Sequence, residues 1–430
     1  MNYSVQAFLA RHNFVCHEDV SSIAYSILDD MNKGLLGQKA DEDMIQTYTL
    51  PPEKKILNKS VIVIDAGGTN FRSCLVTFDS LGNASISDLE KTKMPGIEKE
   101  LSKKEFFAQI AKNLEHLKNK TTSIGFCFSY PTKITKDGDG IVMGFSKEVK
   151  APEVIGSLIG ESLKQELSEN GWNPIKKVTV LNDTVAALLA GAAISGNQKY
   201  SSYIGFILGT GMNAAYIQNK SENLPDFEKQ IIVCESGKTK NVVRADFDVE
   251  FDKSTTRPGE FYMEKCCSGA YLGPVSYLML QSSAKEEVFS PYVCKKILEL
   301  KELTTIDVSE FLQEPYNTSS VLGKLMAECA LESDYDSLFS LLDAIVERSA
   351  RHAAAILTAC VLQSGEGKIA TKPVCILCNG TTFHKTYMLK DRVISYLDEV
   401  LTKQNGLYFR IVAVENDITL GTAISGLIEA

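Results

Sequence analysis

Residues 61–78 read VIVIDAGGTNFRSCLVTF. The first four are β-branched and apolar, as in a buried strand, and they run into a carboxylate, Asp65. Gly67 and Gly68 follow, then Thr69 and Asn70, then a second apolar run that carries Arg72. This order predicts strand, tight turn, strand. Paired glycines accept positive φ and have no Cβ, so the backbone can fold sharply and bring its N–H groups to an anion. Thr69 and Asn70 add short donors, Arg72 adds a guanidinium fork, and Asp65 is placed to hold a divalent cation directly or through water. Glycines alone describe any β-hairpin. With the carboxylate, hydroxyl and arginine around them, the stretch suits a nucleotide polyphosphate with Mg2+.

The pattern recurs at residues 203–217, YIGFILGTGMNAAYI, with Gly209, Thr210 and Gly211 at the turn and Asn213 opening the second run. These residues also satisfy G-x-G-x-x-A, but a dinucleotide fold needs a helix after the glycines, and Asn213 to Ile217 reads as strand. Two such hairpins, far apart in the chain, imply a duplicated scaffold with a nucleotide cleft between its halves. A third strand-then-glycine element, VCILCNGTTF at 374–383, carries Gly380 and Thr381.

Between the hairpins, residues 178–191 read VTVLNDTVAALLAG, a short strand, then Asn182, Asp183 and Thr184, then a small apolar helix. Asn, Asp and Thr are favoured helix caps, and a carboxylate at a strand-to-helix junction is also one that a substrate can reach; the residues alone leave both readings open. SIGFCFSYPT at 123–132 is an apolar strand that breaks at Ser129 and Pro131, and the Gly- and Lys-rich loop after it holds Ser146 and Lys147, ordinary solvated residues by type. Glu235 ends the apolar run QIIVCESG, and Glu264 lies in EFYMEKCCSGAYLG. Each is by type a surface residue.

Helical spacing marks Val20, Ile23, Ile27, Met31 and Leu35, then 103–117, then 337–362, then the terminal ITLGTAISGLIEA; Ser85 to Leu89 reads as a short strand. His352 on the long helix reads as a structural histidine. The 430 residues suffice for two sizeable domains, and 44% hydrophobic with 23% charged residues is a globular composition. A formal charge of −9 argues against nucleic-acid and anionic-membrane partners. The longest apolar stretch, Val185 to Ile194, is too short to span a bilayer, and Met1 to Ala10 lacks a leader's basic and apolar regions, so a cytoplasmic location is expected. The eleven cysteines sit mostly within apolar runs and read as reduced thiols, Cys375 and Cys378 included, on opposite faces of one strand.

Taken in order, IDAGGTNFR, FSYP, LNDT, ILGTGMNAAY, MEKCCSGAYLG and CNGTTF resemble the successive phosphate, sugar and adenosine motifs of the hexokinase family, and the resemblance covers most of the chain. It implies an α/β, two-domain actin-like ATPase (ribonuclease H-like) fold with a duplicated βββαβα core and a deep interdomain cleft. The corresponding domains are residues 59–182 plus 417–430, and 1–58 plus 183–416. The implied activity is ATP-dependent transfer of the γ-phosphoryl group to the 6-hydroxyl of glucose and similar hexoses, the first step of glycolysis, with Mg2+ as cofactor. The resemblance makes Asp183 the general base and Lys147 a contact of the same oxygen. It gives Ser129, Ser146, Asn182, Asn213, Glu235 and Glu264 to the other sugar hydroxyls. Asp65, Gly67, Gly68, Thr69, Asn70, Arg72, Gly209, Thr210, Gly211, Gly380 and Thr381 fall in the nucleotide elements, with Mg2+ at Asp65 through water. Two departures bear on the sugar: Phe145-Ser146-Lys147 stands where the family has a tryptophan-threonine-lysine run, and SGKTKNVVR follows Glu235 in place of a tryptophan-glycine-alanine-phenylalanine-glycine segment. A kinase for fructose, mannose or an amino sugar, and a hexose sensor without turnover, are the alternatives. The sequence leaves oligomeric state open.

Overall fold

The computed structural model describes residues 3–145, 149–193, 198–220, 224, 227–328 and 330–428; Ser146 and Lys147 lie outside them. Two sheets organise the chain. The first contains β1 (Lys59–Gly67), β2 (Asn70–Phe78), β3 (Ala84–Lys93), β4 (Ser123–Phe128) and β5 (Lys177–Leu181), in the order β3-β2-β1-β4-β5. Its first three strands pair antiparallel, and β4 and β5 join parallel. The second contains β6 (Ser202–Leu208), β7 (Met212–Gln218), β8 (Gln230–Val233), β9 (Val374–Asn379) and β10 (Phe409–Val412), in the order β8-β7-β6-β9-β10 with the same strand senses. The short strand Ile45–Gln46 extends it beyond β8. The duplication expected from the two glycine hairpins is therefore a duplication of a whole five-strand topology.

Strands β4 and β9 are covered on both faces, so they read as unbroken apolar runs. By contrast, β3 is exposed along nearly its whole length. It outruns the expected 85–89 because an edge strand hydrogen-bonds through its backbone and needs no apolar side chains to do so. The 103–117 helix is a helix over Lys103–Asn113 with a 3-10 turn after it, and the long helix runs Glu332–Ser364, starting five residues before the apolar pattern does. His352 is fully buried, with Nε2 3.0 Å from Glu18 Oε2. Cys378 faces the main core while Cys375 Sγ lies 4.0 Å from the Gly191 carbonyl, and the ten described cysteines are free thiols.

Two helices lie between the sheets, α1 (Asp183–Ala193) and α2 (Asp417–Leu427). A Cβ on Gly205 of β6 would strike the Thr184 carbonyl of α1, and one on Gly125 of β4 would strike the Thr422 carbonyl of α2. The helices meet each other at Gly421, whose missing Cβ makes room for the Ala186 carbonyl. One apolar cluster accordingly spans both sheets and both helices, with Val61, Val63, Leu188, Ala215, Val233 and Ala423 among its members. Larger clusters cover the outer faces, one under the N-terminal helices and the Glu332–Ser364 helix, the other under Lys103–Asn113 and Ile159–Glu169.

Overpacking at a backbone-to-backbone contact costs about 1–3 kcal/mol or more because neither side can rotate away. Gly421→Ala should therefore lower the unfolding free energy from urea denaturation by that amount, with a lower midpoint at unchanged slope. Gly144→Ala, where an added Cβ meets nothing within 4 Å, should leave it unchanged.

Candidate active site

Each of the two hairpin turns is held from behind by a different segment. At the β1–β2 turn Asp65 pairs with Arg72 across the ladder, Oδ2 to Nη1 3.5 Å, and Gly68 takes φ 57°. The Gly68 carbonyl accepts the Tyr130 hydroxyl at 2.6 Å, Ser129 N–H donates to Ala66 O at 3.0 Å, and a Cβ on Gly67 would come 3.1 Å from Ser129 Oγ. The FSYP segment thus seats beneath the first turn and leaves Gly68, Thr69 and Asn70 exposed. At the β6–β7 turn the Gly209 carbonyl accepts from Gly269 N–H and from Thr382 Oγ1, both at 2.8 Å, and the Thr210 carbonyl accepts the Ser268 hydroxyl at 2.8 Å. Gly380, at φ 119°, is pressed against the Leu208 carbonyl. Thr210 and Thr381 remain exposed.

Between the turns, side chains converge on the cleft floor. The Thr184 N–H donates to Asn182 Oδ1 at 2.9 Å and to Asp183 Oδ1 at 2.8 Å, so Asn182 caps α1 and Asp183 forms its first residue. Both carboxamide and carboxylate thus take part in holding the start of α1. Asn213, second residue of β7, donates Nδ2–H to Glu235 Oε1 at 2.8 Å and accepts Glu235 N–H on Oδ1 at 3.0 Å. Glu264 Oε2 accepts the Met212 N–H at 2.9 Å. Glu235 does not end its strand as expected: β8 stops at Val233, and Glu235 sits in the left-handed region at φ 59° ahead of a 3-10 turn. A non-glycine residue there is unusual and needs support from its surroundings.

The electrostatics of this floor are those of crowded carboxylates. Enclosure raises Asp183 to about 7, offset in part by the Thr184 N–H and reinforced by Glu235 and Asp65. Glu235 is raised by burial, opposed by Lys238. Glu264 is raised by burial, opposed by the Met212 N–H and reinforced by Glu235. Asp65 is raised by burial, with Arg72 opposing and Asp417 reinforcing. All four carboxylates are nonetheless half-buried rather than sealed, so a solute in the cleft can reach them. Perturbed carboxylates gathered in an accessible cleft are what acid–base chemistry requires.

Three features escaped the sequence reading. Asp417, the first residue of α2, holds Asn379 Nδ2 with both oxygens at 2.7 Å and lies near enough to raise Asp65. Its signal was available: a carboxylate directly before an apolar helix, as at Asp183. Tyr130, whose hydroxyl seats the first turn, stands beside Pro131 with no local pattern to mark it. Beside the second turn a groove of about 320 Å3 is lined by Gly269, Ala270, Tyr277, Thr304 and Thr305, assembled from segments no local pattern would join. For a divalent cation the donors near Asp65 are hard oxygens, and among the described residues no group of three or more His, Cys, Asp or Glu could hold an ion unaided. Hard carboxylate oxygens are the donors that Mg2+ takes, one or two at a time, with water and phosphate oxygens filling its octahedron.

Two family models described as hexokinase match the chain, one over residues 6–193 and the other over residues 203–428. Hexokinase-1 of Schizosaccharomyces pombe is 26% identical over 426 residues, which cover 94% of this chain and 86% of that protein. Hexokinase-1 of Saccharomyces cerevisiae is 30% identical over 287 residues, 61% of this chain and 58% of that one. Among solved structures, a hexokinase from Schistosoma mansoni complexed with glucose has a TM-score of 0.80 at 22% identity, with 98% of each chain covered. The likeness is one of fold, the two-domain α/β architecture of those structures.

The raised Asp183 has a consequence for stability. A carboxyl whose proton affinity is higher in the folded than in the unfolded chain contributes stability fully present below the unfolded value, here 3.8, and lost as pH rises through about 7. Asp183→Asn keeps an acceptor for the Thr184 N–H and removes that loss. Its melting temperature relative to the unsubstituted protein should match near pH 4, climb to about pH 7 and level off above.

Proposed function

The chain belongs to the hexokinase family, and from that premise we propose that it transfers the γ-phosphoryl group of ATP to the 6-hydroxyl of glucose and similar hexoses. The observation that carries the reading furthest is the convergence of Asp183, Asn213, Glu235 and Glu264 on a cleft flanked by two exposed glycine turns. A sugar is a ring of hydroxyls, each donor and acceptor, so a specific site needs acceptors fixed around it. Glu235 and Glu264 would accept from ring hydroxyls, with Asn182, Asn213 and Ser129 beside them. Asp183 would accept the proton of the hydroxyl that is phosphorylated. Phosphoryl transfer passes through a loose transition state, so the base serves mainly to orient the alcohol and receives the proton late. Ser146 and Lys147 take their roles here from the family resemblance.

On the nucleotide side, the N–H groups and hydroxyls of Gly67, Gly68, Thr69 and Asn70, and of Gly209, Thr210 and Gly211, would hold the phosphates. Gly380 and Thr381 would flank the ribose, and the groove at Gly269 and Thr304 would take the base. Asp65 would hold Mg2+, which when bound neutralises phosphate charge. Arg72, exposed and opposite Asp65, is free to turn toward phosphate. The moving bodies would be residues 59–182 plus 417–430 against 1–58 plus 183–416, and closure would exclude water as a competing acceptor. The free buried thiols support a reducing compartment such as the cytoplasm, and among the described residues no helix is long and apolar enough to cross a membrane. The segment after Glu235 differs from the family pattern, which favours a second reading in which the preferred sugar is fructose, mannose or an amino sugar.

The test is ADP formation by the purified protein with ATP and Mg2+ across a panel of hexoses. Glucose should stimulate turnover, kcat/KM should rise with pH to a plateau above about 7 as Asp183 ionises, and Asp183→Ala should reduce kcat by about 10²–10⁴-fold. Stimulation by another sugar alone moves the substrate and keeps the mechanism; glucose binding without turnover would replace the kinase with a sensor.

A further inference from the structure

The residues after Glu235 are held by a segment that the mechanism does not use. Strand Ile45–Gln46 pairs with β8 so that Ile45 lies opposite Val233, and the two chains keep company beyond the ladder, with Met44 N–H donating to the Cys234 carbonyl at 3.4 Å. Past the 3-10 turn Ser236–Lys238 the contacts resume three residues out of register. Asp43 Oδ2 meets Lys238 Nζ at 2.5 Å, Glu42 Oε1 accepts the Thr239 hydroxyl at 2.8 Å, and Asp41 Oδ2 accepts the Lys240 N–H at 3.1 Å with its other oxygen 3.7 Å from Lys240 Nζ. The acidic run Asp41-Glu42-Asp43 thus matches Lys238-Thr239-Lys240 residue for residue. It is itself moored, because Asp30 on the Val20–Leu35 helix accepts the N–H groups of Asp41 and Glu42 at 2.9–3.0 Å.

Glu235 needs such support. Its left-handed φ of 59° is strained for a residue with a side chain and persists only where neighbours dictate it. Gly237, in the same turn, lies so close to Glu264 that an added Cβ would come within 3.1 Å of the Glu264 Cβ and of the Met212 carbonyl. Displacing the turn would therefore move both sugar carboxylates. Glu42 is the buried member of the run, 2% exposed, with Oε2 lacking a hydrogen-bond partner among the described residues. Burial, opposed by the Thr239 hydroxyl and reinforced by Asp30, Asp41 and Glu235, pushes it up to about 8. At neutral pH it acts mainly as an uncharged acceptor for Thr239.

We propose that Asp41-Glu42-Asp43 is a clamp that fixes the Glu235 turn and thereby sets hexose affinity. Its members are positioning residues: none touches the sugar, and none acts on the transferred group. This rests on the kinase reading for Glu235, and the experiment separates the two by measuring hexose Kd calorimetrically beside KM and kcat, in Asp43→Lys, Lys238→Asp, their double swap, Glu42→Ala and Glu42→Gln. Each charge-reversing single variant should raise hexose Kd and KM by about 3–10-fold, with kcat and the KM for ATP within about two-fold. The swap should restore affinity; Glu42→Ala should weaken it, and Glu42→Gln, which keeps the acceptor, should not. Unchanged hexose affinity in both single variants and in Glu42→Ala overturns the clamp while leaving the kinase intact. A kcat loss with unchanged affinity, or no recovery in the swap, overturns it as well. Hexose binding that follows the clamp pattern in a protein without turnover would retain the clamp and overturn the kinase; an unsubstituted protein that neither binds hexose nor turns over overturns both.

Discussion

The packing of the two sheets depends on close backbone approach at three glycines, Gly205 against the Thr184 carbonyl, Gly125 against the Thr422 carbonyl and Gly421 against the Ala186 carbonyl. Because α1 and α2 pack this closely, their first residues, Asp183 and Asp417, arrive near Asp65 at the end of β1, close enough for each to raise it or be raised by it. Helix N-termini carry a partial positive charge and unsatisfied N–H groups, which favour carboxylates and phosphates nearby. At these two helix starts the positions are taken by the carboxylates of Asp183 and Asp417, beside Asp65.

The same crowding is costly without substrate. Asp183, Glu235, Glu264 and Asp65 each sit where burial disfavours their charge, and the fixed donors, the Thr184 and Met212 N–H groups and the Asn213 amide, answer only part of it. Hydroxyl groups brought in by a sugar would supply the missing donors, so substrate binding relieves a strain built into the fold. Such a site discriminates well, because an analogue lacking one hydroxyl leaves a carboxylate unpaired in the closed cleft.

Much of this was legible in the chain. Strand, glycine turn and strand at 61–78 and 203–217 announced the duplication, since a turn that must bind anions restricts its own residues and those restrictions are local. The strand-to-helix junction at Asn182 and Asp183 was visible for a like reason, because cap residues are local, although the shared acceptance of the Thr184 N–H was not. What stayed hidden depends on contacts between distant segments. Glu235 leaves its strand two residues early because a turn moored to residues 41–43 overrides the apolar run before it. Strand β3 needs no apolar pattern at a sheet edge, and the Gly269–Thr304 groove exists only once helices from separate parts of the chain pack side by side.

Asp183 is held partly protonated until a sugar arrives, and calorimetry of hexose binding in buffers of differing ionisation enthalpy tests this most directly. Near pH 6.5 the binding enthalpy should vary with the buffer, reporting proton release as hydroxyl donors pull Asp183 to its ionised form. The release should shrink in Asp183→Asn. A binding enthalpy independent of buffer would contradict this, because Asp183 would then already be ionised in the empty cleft.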